Sequence, residues 1–129
     1  MARVTGIGGV FFKAKDPKAL TAWYAKHFGM SVEEWGGVIL KWPSDTATDD
    51  GLTVWNLAEQ EGEWFSPSRS SFMINYRIDD MAGMIAQLTA AGIAILKGPE
   101  QAENGKFAWV MDPEGNKVEL WEPRAWQTI

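Results

Sequence analysis

The sequence predicts an α+β domain built from two tandem βαβββ modules, and three observations lead there. Segments with strand and helix character follow the order strand, helix, three strands, and that order then recurs. Landmarks of the two halves keep a nearly constant offset: Gly9 and Met73, Asp16 and Asp80, Gly29 and Gly92, and Trp55 and Trp121 lie 63 to 66 positions apart. Each half alone is too small for a secure core, so the halves must pack together or exchange partners. The expected boundaries are module one about 4–58, a linker about 59–70, module two about 71–122 and a tail 123–129, all within one domain.

In the first module, GVFFKA from Gly9 to Ala14 has strand composition, and Asp16-Pro17 is an N-cap followed by a first-turn proline. Leu20, Trp23, Tyr24, His27 and Phe28 recur at helical spacing, and Gly29 suits a left-handed C-terminal cap. SVEEW, VILKW and LTVWNL then read as three short strands, the first two joined by Gly36-Gly37. In the second module MINYRI is a strand, and Asp79-Asp80 cap a helix with Met81, Met84, Ile85 and Leu88 on one face. Gly92 closes that helix, IAILK, GKFAWVM and KVELW supply three strands, and Asp112 to Asn116 form the last tight turn.

Composition excludes several functions. Without cysteine, the 129 residues can form no disulfide, thiolate nucleophile, cysteine zinc site or iron–sulfur cluster. Seventeen acidic against twelve Lys and Arg residues, with no basic cluster, argue against nucleic acid as a partner. No apolar run reaches the roughly 20 residues that span a bilayer, and the charged start does not read as a signal peptide, so no membrane and a cytoplasmic location are expected. No Ser-His-Asp set or phosphate-binding loop is present, and Asp45, Asp49 and Asp50 lack the spacing of a calcium loop.

The segments GIGGVFFKAKDPKALTAWYAKHFGM, FMINYRIDDMAGMIAQLTAAGI and WVMDPEGNKVELWEP together resemble the vicinal oxygen chelate superfamily, which includes glyoxalases, extradiol dioxygenases and bleomycin-resistance proteins. The resemblance runs from Val4 to Pro123. It implies curled mixed sheets around a concave site, commonly in a homodimer. In metal-using members the ligands come from the first and last strands of each module; here those positions fall on Gly9, Thr53, Met73 and Glu119. Only Glu119 is a competent ligand, so the expectation is no metal and no cofactor.

Side chains alternate across a strand, so placing Gly9 in the concavity sends Phe11 and Lys13 there too. The same parity places Met73, Asn75 and Arg77 inward, Glu119 with Trp121, and Thr53 with Trp55; Trp109 or Phe107 completes the aromatic wall. The candidate ligand-binding set is therefore Phe11, Lys13, Trp55, Met73, Asn75, Arg77, Trp109 and Trp121, which suits a planar or amphipathic organic ligand. Glu119 has three readings: a retained ligand position, a general base, or a carboxylate paired with Lys13 or Arg77. The lone His27 reads as helix packing. Trp35, Trp42, Trp64 and Trp126 sit near turns, the linker or the tail, and EGEWFSP, with Trp64 and Phe65, is a candidate lid or exchanged arm.

Two functions follow. The first is a metal-independent binding protein, resembling the bleomycin-resistance type, that sequesters an aromatic or cationic molecule as a homodimer. The alternative is a glyoxalase-related lyase, isomerase or dioxygenase-like enzyme using Glu119 as acid/base or metal ligand.

Overall fold

The computed structural model describes residues 1–41 and 51–123. Its elements are β1 (Val4–Ala14), α1 (Pro17–Phe28), β2 (Val38–Lys41), β3 (Leu52–Glu59), β4 (Phe72–Ile78), α2 (Met81–Ala90), β5 (Lys97–Ala102), β6 (Gly105–Met111) and β7 (Lys117–Pro123). The seven strands form one mixed sheet in the order β2-β3-β1-β4-β7-β6-β5. In each half the first strand pairs in parallel with the last, β1 with β3 and β4 with β7. The antiparallel pair β1–β4 joins the halves. This is the α+β architecture the sequence predicts.

The helices start where the caps direct. The Asp16 carboxylate accepts from the Ala19 backbone N–H at 3.0 Å, with Pro17 in the first turn, and Asp80 accepts from Gly83 at 3.1 Å. Gly29 ends α1 with φ of 68°, a left-handed conformation that favours glycine. One face of the sheet packs on the helices. Ile78, Met81, Met84, Ala108 and Leu120 form the core beneath α2, while Val38, Trp55 and Leu57 form the core beneath α1 with Phe12, Leu20 and Tyr24. On the opposite face Phe11, Ala58, Phe65 and Met73 pack together, with Val54 and Trp109 against them.

Three expectations change. SVEEW is no strand: Val32 makes one isolated bridge to Val38, and Glu33 and Gly37 close a turn instead. IAILK is mostly loop, and β5 lies later, over KGPEQA. β1 begins at Val4, and a bulge between Ile7 and Gly9 shifts its register. On α1, Trp23 and Phe28 are 49% and 63% exposed, their rings tilted against each other at 5.6 Å, and Trp23 also meets His27 at 5.0 Å. Trp42, the acidic residues Asp45, Asp49 and Asp50, and Trp126 lie outside the described residues.

Candidate functional site

The face away from the helices carries a half-open cavity of about 580 Å³ between the two halves of the sheet. Ile39, Leu52, Val54 and Asn56 from β2 and β3 line one side, with Phe11 of β1. Asn75, Glu119, Trp121 and Phe107 from β4, β7 and β6 line the other. Trp35 and Trp64 reach in from the connecting segments, and Ala102, Glu103 and Asn104 close the β5–β6 end.

The aromatic wall is ordered by strand pairing. Phe107 stands opposite Trp121 in the β6–β7 ladder, so their rings stack with centroids 6.1 Å apart and planes only 6° apart. Phe107 also stacks on Trp109 at 6.3 Å. The Trp121 indole donates to the Asn104 carbonyl at 2.9 Å, which ties the wall to the β5–β6 turn. Trp121 is 2% exposed, so this wall is part of the core as well as of the cavity.

Glu119 is the buried ionisable group of the cavity lining. It is buried, and burial pushes its carboxyl above the usual carboxylate range, against the opposing pull of two hydrogen bonds and of Lys117. Asn75 Nδ2 donates to Oε1 at 2.6 Å and Trp109 Nε1 donates to Oε2 at 2.9 Å, so both oxygens are held. Asn75 Oδ1 is buried without a hydrogen-bond partner. It packs against Gly8, where an added Cβ would overlap it and would meet Trp121 Cε3 at 2.7 Å. A glycine is required here by close approach.

Behind Glu119, two ammonium groups lie over the Trp109 ring, Lys97 at 5.2 Å and Lys117 at 5.9 Å from its centroid. Lys117 also donates to the Trp64 carbonyl at 2.9 Å. Its own pKa is lowered by burial first and by Lys97 second, with Glu119 opposing.

Of the sequence-derived candidates, Phe11, Asn75, Glu119 and Trp121 line the cavity. Trp109 stands behind Glu119 as its hydrogen-bond donor, and Met73 is fully buried beneath Phe11 and Phe65. Lys13 lies over the Phe65 ring at 5.6 Å, and Arg77 is two positions beyond Asn75 on β4, neither of them lining the cavity. Of the three readings of Glu119, the one that pairs it with Lys13 or Arg77 gives way to hydrogen bonds from Asn75 and Trp109. Trp55 is corrected outright: it packs on Tyr24 at 5.0 Å and Phe12 at 5.7 Å on the helix side, and Thr53 donates to the Ile7 carbonyl. Parallel pairing sets Gly9 beside Val54, which puts Leu52, Val54 and Asn56 in the cavity instead. Glu103 and Asn104 were missed, although the Asn104-Gly105 dipeptide is a hairpin signal that could have marked that rim.

A divalent metal of the kind the resemblance implies does not fit these residues. Among the described residues no three His, Cys, Asp or Glu side chains come together, and Glu119 alone supplies too few donors.

The sequence matches the glyoxalase-like domain family over residues 9–121. The chain belongs to that family. Its fold is similar to that of a Streptomyces coelicolor methylmalonyl-CoA epimerase variant in complex with 2-nitronate-propionyl-CoA, with TM-score 0.69 and 19% identity over 95% of this chain and 100% of the other. The Mycobacterium tuberculosis methylmalonyl-CoA epimerase gives TM-score 0.62 and 17% identity over 94% and 89%. A Legionella pneumophila NAD-dependent benzaldehyde dehydrogenase gives TM-score 0.56 and 17% identity over 90% and 98%. No curated protein matches the sequence. At such identities the likeness speaks for the fold, and glyoxalase-like folds carry many activities.

Proposed function

We propose that this glyoxalase-like protein binds a small planar aromatic cation in the cavity without a metal. The observation that carries this reading is the pairing of the parallel Phe107 and Trp121 rings with one buried carboxylate, Glu119, in a space of about 580 Å³. That volume falls in the range of small-molecule sites, roughly 300–1,000 Å³. The described polar lining is Asn56, Asn75, Glu103, Asn104 and Glu119, rich in acceptors and without a lysine or arginine. Such a lining disfavours an anion and accepts N–H donors.

Proflavine, a planar cation, and anthracene carboxylate, an anion of similar shape, test it by fluorescence anisotropy. Saturable proflavine binding, with the anion at least about tenfold weaker, is expected, a difference of about 1.4 kcal/mol. Equal binding of both, or of neither, contradicts it. Homodimerisation belongs to the same proposal. It is supported by the exposed apolar side chains Trp23, Phe28 and Val32, and sedimentation velocity reads it directly.

The raised pKa of Glu119 favours a second reading, proton transfer by an acid/base carboxylate in an enzyme of this family. The methylmalonyl-CoA epimerases among the similar folds make solvent-deuterium incorporation into methylmalonyl-CoA the first assay. Incorporation abolished in Glu119→Gln supports this reading, and incorporation retained in that variant removes Glu119 from it.

A further inference from the structure

We propose that Trp64 is the residue that selects ligand size, carried on a connecting segment that is anchored by Phe65 and latched to the second half by Lys117. This rests on the aromatic-binding reading above.

The two neighbouring aromatics of EGEWFSP do different things. Phe65 is completely buried among Phe11, Ala58 and Met73, which fixes the segment to the sheet. Trp64 is 37% exposed, lies 4.7 Å from the Phe11 ring and forms part of the cavity wall. The segment belongs to no strand; its short-range bonds, Ser66 to Glu63 and Ser68 to Phe65, shape it locally without tying it to the sheet. The long-range bond from Lys117 Nζ to the Trp64 carbonyl supplies such a tie, 53 residues away in sequence.

Lys117 therefore connects two walls. Its ammonium holds the Trp64 backbone and lies over the Trp109 ring, whose N–H fixes Glu119. A single-ring cation can satisfy Glu119 and Trp121 alone. A fused-ring cation extends further and gains the Trp64 face, so the wall favours polycyclic over monocyclic planar cations.

Two measurements test this. In the ligand-free protein, Lys117→Met keeps an aliphatic stem beside Trp109 but cannot donate to Trp64. Amide hydrogen exchange across 61–68 rises about tenfold in that variant and returns to the native rate in Lys117→Arg, tenfold being about 1.4 kcal/mol of opening free energy. Unchanged exchange in Lys117→Met overturns the latch. With ligand, Trp64→Ala lowers the preference for proflavine over benzamidine by about tenfold, again about 1.4 kcal/mol. An unchanged preference in Trp64→Ala overturns the role of Trp64. If the native protein binds neither cation, the binding function itself has failed, together with the size selection that rests on it, while the exchange result still decides the latch.

Discussion

The two halves share a backbone plan and divide the chemistry unequally. Both pair their first and last strands in parallel, β1 with β3 and β4 with β7. Yet the first half presents Phe11, Val54, Leu52 and Ile39 to the cavity, with Asn56 as its one polar side chain on these strands. The second presents Glu119 and Asn75 beside the Phe107 and Trp121 wall. The shared frame is possible because hydrogen-bonded strand pairing depends little on which side chains the strands carry. The side chains on that frame differ: the strands of one half present an almost wholly apolar wall, while those of the other carry Glu119. A buried carboxylate is costly to ionise, and burial is what raises the Glu119 pKa.

The comparison can be broken most severely on the second side. Trp121→Ala removes a buried indole stacked on Phe107 and should cost about 3–5 kcal/mol, read as a lower chemical-denaturation midpoint, together with loss of proflavine binding. Next comes the seam between the halves. Gly8→Ala pushes a Cβ into Asn75 and Trp121 and should cost about 1–3 kcal/mol, whereas Gly6→Ala meets nothing within 4 Å and should stay within about 0.5 kcal/mol of native. Equal effects of the two glycine variants would show that the seam is not tightly packed.

The pH dependence of Glu119 sharpens the contrast. Its folded-state pKa lies above the unfolded value, so its contribution to stability is fully present below the ordinary glutamate pKa and declines as pH rises through the raised one. Denaturation midpoints of the native protein should therefore fall over that window relative to Glu119→Gln, whose curve lacks this component. Among the variants expected to destabilise the fold, Lys97→Ala should do so least. That ammonium is mostly exposed and paired with Glu100, so removing it from the Trp109 face should cost about 0.5–1 kcal/mol.

Much of this frame was legible in the sequence. Asp16-Pro17, Asp80 and Gly29 announce helix ends because capping is local chemistry between residues a few positions apart. Glu119, Trp121, Asn75 and Phe11 were legible because alternation holds along regular strands. Trp55 was not, because LTVWNL is apolar on both faces and its orientation is set by pairing with β1, a non-local fact further displaced by the bulge near Gly9. The strand over KGPEQA was hidden by its glycine, proline and charges, a composition tolerated at a sheet edge, where β5 lies. Trp64 was legible as part of EGEWFSP, a candidate lid or exchanged arm; its place in the cavity wall comes from Phe65 packing and the Lys117 bond, which join distant segments.

The central claim is that a planar aromatic enters between the two halves and meets Glu119. The most direct test follows the indole N–H resonances of isotope-labelled protein while proflavine is added. Trp109, bonded to Glu119, and Trp121, on the cavity wall, should shift in a saturable way, while Trp23 and Trp55, on α1 and beneath it, should remain in place. Shifts confined to Trp23 and Trp55, or no shift at Trp109 and Trp121, would contradict the account.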